Sequence, residues 1–353
     1  MSALTNTLRR ALARTRASPQ PRLDWRPTKE PALVGNLRIA ILDDYQDVAL
    51  KYADWASLRA DVKVFRSAFP DANAVVSELA DFDVLVAMRE RTRFPAEVLA
   101  RLPRLKLLVT TAPANAAIDV AAARARGVVV SGTGSPDVAA TSELTWALIL
   151  AVVRHLPAEM QHVRAGGWQL SVGTRLEGRT LGLLGLGKLG SRVARVGQAF
   201  GMETIAWSAN LTAAQAARHG VTAVSKQELF ARSDVLSVHL ILSDRSRGLI
   251  GAAELAAMKP TAVLVNTSRG PIVDEHALVR ALQERRIGGA GLDVFDVEPL
   301  PQGHPLRTLD NVVVTPHIGY VSDGNYRVFY QEAVEDIAAF VAGNPIRIVE
   351  PWP

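Results

Sequence analysis

The segment from Arg179 to Ser208 constrains the fold of this chain more than any other. It reads as an apolar strand, a glycine-rich turn, a helix and a second strand, which is the order that opens a dinucleotide-binding unit. Gly185, Gly187 and Gly190 have the spacing G-x-G-x-x-G. They allow, in turn, a tight bend, close approach of the backbone to a pyrophosphate, and close packing of the helix on the strand. The alternative is a glycine-rich turn of some other α/β protein. The predicted cofactor-binding residues of the turn are Gly185, Gly187, Lys188, Leu189 and Gly190.

Cysteine is absent from the 353 residues, which excludes a disulfide framework, a thiolate metal site and a cysteine nucleophile. His, Asp and Glu do not cluster at the spacing of metal ligands, so we predict no metal. The length is enough for two domains of ordinary size. The longest apolar run, Leu144 to Val153, is too short to span a bilayer. We therefore expect a soluble, cytoplasmic protein that does not bind a membrane.

The net charge of +5 comes from the N-terminal tail. Residues 1–36 hold seven basic and two acidic residues, which leaves 33 of each sign in residues 37–353. A neutral folded body removes the main electrostatic argument for nucleic-acid binding. The tail has no apolar core segment and so is not a secretory signal. We favour a disordered extension, or a start codon placed too early, over a transit peptide.

Strands and helices alternate along most of the remaining chain, which predicts parallel sheets covered by helices on both faces. A first α/β layer begins with the strand Leu37–Asp43 and precedes the glycine motif. A single long helix is predicted from Asp137 to about Gly166, followed by six strands of a doubly wound sheet. An amphipathic helix, Tyr326–Val341, ends the pattern and needs a partner surface.

Polar motifs follow three successive strands of the predicted dinucleotide-binding sheet. Arg269 follows the strand Ala262–Asn266, Glu298 follows the next, and His317 follows the last. Ligands of such sheets lie beyond the carboxyl ends of the strands. An arginine there can bind a carboxylate with both arms of its guanidinium. A carboxylate beside a histidine orients the imidazole and favours its protonated form, which makes a proton donor and acceptor. Each residue alone is more often structural, but together they predict a catalytic site.

The glycine motif, NTSRGPIVDEHAL, GAGLDVFDVEPLP and NVVVTPHIG together resemble the D-isomer-specific 2-hydroxyacid dehydrogenase family from about Leu37 to Ile348. The resemblance implies that Arg269 binds substrate, that Glu298 partners His317, and that His317 is the acid/base. It places Asp293 near the nicotinamide and makes Arg89 and Ala112 substrate-side residues. It also implies a homodimer and a substrate domain split around an inserted NAD(P)-binding domain, which we place at residues 37–138 plus 319–353 and at residues 139–318.

The sequence departs from the family pattern in three places. Ser208 stands where members that prefer NAD often have an acidic residue, yet no arginine follows before Arg218, so NAD is only slightly favoured over NADP. The loop from Thr111 to Asp119 replaces a glycine-containing substrate loop, and Pro113 in it has no N–H. Ile241 replaces a common proline, which we interpret as neutral packing.

The predicted function is hydride transfer between NAD(P)(H) and a small 2-hydroxy acid or 2-oxoacid. Two alternatives remain open at this point: a non-catalytic, redox-sensing regulator with the same fold, and a phosphite-type dehydrogenase. Glu298 disfavours a formate-type enzyme, in which glutamine replaces that carboxylate. The motifs leave the individual acid, the preferred cofactor and the physiological direction undetermined.

Overall fold

The computed structural model describes residues 37–134 and 137–351, so the predictions for the basic tail lie outside the described residues. The first layer is a five-stranded parallel sheet. Its strands are β1 (Arg38–Ile41), β2 (Asp61–Val64), β3 (Val84–Ala87), β4 (Leu107–Thr110) and β5 (Val129–Gly132). They lie in the order β2-β1-β3-β4-β5. The inner strands are apolar on both faces because helices cover both sides of the sheet. The helices are α1 (Ala49–Tyr52), α2 (Ala72–Leu79), α3 (Ala96–Leu99) and α4 (Val120–Ala125).

The single long helix predicted between the two layers is wrong. The structure has two helices, α5 (Val138–Val153) and α6 (Leu156–Arg164), separated at His155. Pro157 has no N–H for the carbonyl of Val153 and its ring would clash there, so a helix cannot continue through it. The chain instead turns at His155, whose φ is +53°.

The second layer is a seven-stranded sheet. Its strands are β6 (Thr180–Leu184), β7 (Glu203–Trp207), β8 (Thr222–Ala223), β9 (Val235–Val238), β10 (Val263–Asn266), β11 (Gly289–Leu292) and β12 (Val312–Val314). They lie in the order β12-β11-β10-β9-β6-β7-β8, again with parallel pairing throughout. Six of these strands were predicted, whereas the edge strand β8 was missed because two residues are too few to show a pattern. The helices are α7 (Lys188–Ala199), α8 (Ala213–Ala217), α9 (Lys226–Arg232), α10 (Ala252–Ala257) and α11 (Glu275–Gln283).

The last helix, α12 (Asp323–Val341), packs on the first layer. The ring of Tyr330 lies 6.2 Å from that of Trp55, and beyond the helix the Val349 N–H donates to the Val130 carbonyl at 2.8 Å. Two parallel-sheet α/β domains are therefore confirmed, with both ends of the described chain contributing to the first. The domain boundaries near residues 138 and 319 stay a prediction. Of the described helices, none has the length and apolar character needed to cross a membrane.

Candidate active site

The glycine loop joins β6 to α7 and leaves an open helix terminus. Gly185 has φ +103°, and a Cβ there would lie 2.7 Å from the carbonyl oxygen of His239. A Cβ on Gly190 would lie 2.2 Å from the Gly185 carbonyl oxygen, whereas a Cβ on Gly187 would meet nothing within 4 Å. No side chain caps the N-terminus of α7. Open space before uncapped N–H groups fits the pyrophosphate of a dinucleotide.

The substitution Gly190→Ala tests this packing. Because the obstructing atom is a backbone oxygen, we expect a loss of about 1–3 kcal/mol in unfolding free energy. We also expect at least a tenfold loss of NADH affinity, since the helix terminus must move. Denaturant unfolding and a fluorescence titration with NADH would measure the two effects.

Gly324→Ala is the matched control, because a Cβ there meets nothing within 4 Å in the first turn of α12. It should keep the NADH affinity of the unsubstituted protein and should not lower its stability, since alanine is the better helix former. If Gly190→Ala behaved in the same way, close packing at the glycine loop would not support the cofactor site.

His317 and Glu298 form a hydrogen-bonded pair beyond β12 and β11. The His317 Nδ1 lies 2.5 Å from the Glu298 Oε2, and the Glu298 Oε1 accepts from the Phe295 N–H at 3.0 Å. Burial alone would raise the pKa of Glu298, but the hydrogen bond and charge of His317 outweigh it and lower the pKa below its usual value. An ionised carboxylate only accepts, so Nδ1 donates and Nε2 is the ring nitrogen left to exchange a proton with a substrate.

Asp293 supports the loop that presents His317. Its carboxylate is fully buried and accepts from the Thr315 hydroxyl at 2.6 Å and from the N–H groups of Ile318 and Gly319, both at 2.8 Å. Burial raises the pKa of Asp293, and these hydrogen bonds oppose the rise. His317 has φ +54°, a conformation that a residue with a side chain adopts only when its surroundings hold it. The predicted contact of Asp293 with the nicotinamide stays a prediction beside this supporting position.

Arg269 faces the first layer through an ion pair. Its Nη2 donates to the Glu90 Oε1 at 3.1 Å, and its Nη1 donates to the Ser268 carbonyl at 2.8 Å. The Arg89 Nε lies 3.7 Å from the Glu90 Oε2, so Glu90 lies between two guanidinium groups. Burial would raise the pKa of Glu90, but the two arginines outweigh it and lower the pKa. The predicted substrate residues Arg89 and Arg269 are thus brought together across the two layers.

The loops beyond β3 and β4 hold Arg89 in place. Its φ is +53°, its N–H donates to the Thr111 Oγ1 at 2.9 Å, and its carbonyl accepts from the Asn115 side chain at 2.6 Å. Ala112 is buried, and its N–H donates to the Thr110 carbonyl at 2.8 Å. That N–H is therefore already hydrogen-bonded within the loop, and the substrate contact of Ala112 stays a prediction.

Arg91 and Tyr320 link the first layer to the histidine. Arg91 donates to the Tyr320 hydroxyl at 2.6 Å and to the His317 carbonyl at 3.2 Å, and the Tyr320 ring lies 5.8 Å from that of His317. Neither residue, nor Glu90, was among the site residues predicted from the sequence. The sequence contains one indication of Glu90 and Arg91, because both stand beside Arg89 at the end of a predicted strand.

Two other positions have simpler surroundings. Ser208, predicted at the ribose position, is half-buried just beyond β7, and exposed Ala209 and Asn210 follow it. His304, another histidine of the second layer, has its Nε2 3.1 Å from the Glu275 Oε1, and its other ring nitrogen accepts from the Leu306 N–H at 3.3 Å. Both of its nitrogens are engaged, so His317 remains the better candidate for the acid/base.

Comparisons with known proteins agree with this geometry. The family described as "D-isomer specific 2-hydroxyacid dehydrogenase, NAD binding domain" matches residues 146–319. Glyoxylate reductase of Aeropyrum pernix is 38% identical in an alignment of 315 residues, which covers 81% of this chain and 94% of that protein.

Solved structures give the same result. Phosphoglycerate oxidoreductase of Vibrio cholerae has a TM-score of 0.82 and 39% identity, and the match covers 87% of this chain and 99% of that one. D-lactate dehydrogenase of Aquifex aeolicus, complexed with NAD and lactic acid, has a TM-score of 0.70 and 28% identity, with coverage of 87% and 96%. The chain therefore belongs to the D-isomer-specific 2-hydroxyacid dehydrogenase family and is an NAD(P)-dependent oxidoreductase of hydroxy acids.

Proposed function

We propose that the protein reduces a small 2-oxoacid to the 2-hydroxy acid, with Arg269, Glu298 and His317 as its catalytic residues. The observation that carries this proposal is the His317–Glu298 pair at 2.5 Å, at the same strand-end rim as Arg269. An oriented imidazole and an arginine are what reduction of a carbonyl beside a carboxylate requires.

Each residue has a defined task in this scheme. Arg269 binds the substrate carboxylate and polarises the neighbouring C2 carbonyl oxygen. The His317 Nε2 gives a proton to that oxygen as the carbonyl becomes a hydroxyl, and Glu298 stabilises the charged imidazolium before this transfer. A nicotinamide cofactor held at the glycine loop would supply the hydride that C2 accepts. In the reverse direction His317 takes the proton from the hydroxyl.

The residues at the ribose position favour neither cofactor strongly. Ser208 places no negative charge there to repel a 2′-phosphate, and Ala209 and Asn210 place no positive charge to attract one. We infer a slight preference for NAD(H), as the lack of an arginine in this turn disfavours tight binding of a 2′-phosphate.

The initial rates of NADH and NADPH oxidation with a panel of 2-oxoacids test the proposal. The panel runs from glyoxylate, pyruvate and hydroxypyruvate to branched and aromatic acids. We expect saturable turnover of at least one acid, with NADH used as well as or better than NADPH. Tight binding of either cofactor without turnover of any acid would contradict the proposed reduction of 2-oxoacids.

We further propose that two chains associate through α6 and the segment after it, and that the protein acts in the cytoplasm. No residue of α6 is buried. Apolar side chains there and in the following loop are largely exposed, including Trp168 at 76% and Val172 at 94%. Exposed apolar groups concentrated on one segment are typical of an interface.

The proposed location in the cytoplasm is supported by the lack of cysteine, which fits a reducing compartment.

The double variant Trp168→Ser and Val172→Asp tests the dimer. We expect light scattering to report a mass near twice 38.0 kDa for the unsubstituted protein and near 38.0 kDa for the variant. Burying an unpaired carboxylate in an interface is strongly unfavourable, which is the reason for the expected dissociation. Ile241→Asp, at a position exposed by 88% elsewhere on the surface, is the control and should leave the mass unchanged. A monomeric unsubstituted protein would contradict the proposal.

A further inference from the structure

Glu90 contributes a negative charge to the site that we propose for the substrate carboxylate. It follows β3 in the first layer, yet its Oε1 accepts from Arg269 of the second layer at 3.1 Å. Its other oxygen lies 3.7 Å from the Arg89 Nε. Glu90 therefore contacts both of the arginines that we assign to the substrate.

Glu90 offsets part of the positive charge of this cluster. Arg89, Arg269 and Glu90 together carry one positive charge. The remaining arginine nearby, Arg91, adds a further positive charge, and its guanidinium is bound to the Tyr320 hydroxyl and the His317 carbonyl. A second anionic group of a substrate beside Glu90 would meet a like charge at close range in a half-buried site, which is unfavourable.

The Glu90 Oε2 also lacks a donor. This atom is buried and has no hydrogen-bond partner among residues 37–134 and 137–351. A buried acceptor without a donor is unfavourable, so a ligand that brings a donor gains affinity at this atom. A hydroxyl on the carbon next to the C2 carbonyl, in a substrate held by Arg269, would supply such a donor.

We propose that Glu90 is a specificity residue of the substrate site. It favours a 2-oxoacid that carries one negative charge and a hydroxyl on C3, and it disfavours a 2-oxoacid with a second anionic group. This inference rests on the proposed reduction of 2-oxoacids and names the class of acid within it.

Three acids that differ at C3 test the inference: hydroxypyruvate with a hydroxyl, pyruvate with hydrogen, and oxaloacetate with a carboxylate. For the unsubstituted protein we expect kcat/KM to fall in that order. Glu90→Gln keeps the shape and removes the charge. It should raise the ratio of kcat/KM for oxaloacetate to that for pyruvate by about tenfold, because the like-charge repulsion is gone. It should lower the preference for hydroxypyruvate over pyruvate by about fivefold, because a neutral acceptor makes a weaker hydrogen bond.

Two controls accompany this variant. Glu97→Gln removes an exposed carboxylate in α3 and should leave both ratios unchanged. Glu90→Asp keeps the charge and should keep the order of the three acids. NADH titration and thermal unfolding of each variant show that fold and cofactor site are intact.

The outcomes separate the inference from the function on which it rests. Turnover of these acids with ratios that Glu90→Gln does not change would overturn the specificity role alone. An unsubstituted protein that prefers oxaloacetate to pyruvate would overturn it as well. No turnover of any acid in the wider panel would overturn the proposed function and this inference with it.

Discussion

Replacing His317 with alanine is expected to lower kcat by about 10²- to 10⁴-fold with the best 2-oxoacid, the range typical of a removed acid/base. The Nε2 of His317 is the group that we assign to proton transfer, and its partner Glu298 contacts the other ring nitrogen, Nδ1. The KM for the acid should change much less than kcat, since Arg269 still binds the carboxylate. Steady-state kinetics with NADH would measure both.

The loop that carries His317 does not depend on the imidazole, because Asp293 accepts hydrogen bonds from the N–H groups of Ile318 and Gly319. Cofactor binding should therefore persist in this variant. A fluorescence titration with NADH would check this. His304→Ala removes a histidine that pairs with Glu275 instead and is the matched control, expected to keep kcat within a few-fold. Full activity of His317→Ala would rule out the acid/base role of His317.

Replacing Arg269 with alanine is expected to lower kcat/KM by about 10²- to 10⁴-fold, since removal of a charge-paired group at a binding site has an effect of about 3–5 kcal/mol. Two losses contribute: the substrate carboxylate loses its partner, and Glu90 loses one of its two guanidinium neighbours. Arg269→Lys restores the charge without the two-armed geometry and should recover only part of the loss. The rates with a range of acid concentrations would separate the effects on kcat and KM.

Arg126→Ala, at an exposed position after α4, is the control for loss of one positive charge and should behave like the unsubstituted protein. NADH affinity should be similar in all three variants, because the glycine loop lies beyond a different strand. If Arg269→Ala retained most of its kcat/KM, the carboxylate would have to be bound by another group, and Arg89 would be the first to substitute.

The dinucleotide fold could be predicted because its signal is local. The glycine spacing lies within six residues, Gly185 to Gly190, and a Cβ on either Gly185 or Gly190 would meet a backbone oxygen. Continuous apolar runs such as β3 and β4 show as buried strands for the same reason, since helices cover both faces of a parallel sheet. The break at His155 was missed although Pro157 marked it, because the apolar pattern on either side outweighed a single residue.

The candidate site could be predicted only in part. Arg269, Glu298 and His317 were identified because parallel strands bring their carboxyl ends to one edge, so their positions follow from strand order. The conformation of His317 could not be read in this way. Its left-handed φ occurs in a loop whose neighbouring residues donate three hydrogen bonds to Asp293, and no local pattern indicates a buried carboxylate with three donors.

The two α/β layers, the glycine loop and the strand ends that carry the chemistry could be predicted from the amino-acid sequence alone, since each depends on neighbours along the chain. The set of charges that meet between the two layers follows from tertiary packing. Glu90 and Arg269 are 179 positions apart, and Arg91 and His317 are 226 apart. Such contacts depend on how the two layers face each other. That arrangement follows from the packing of the whole chain and has no local pattern to reveal it.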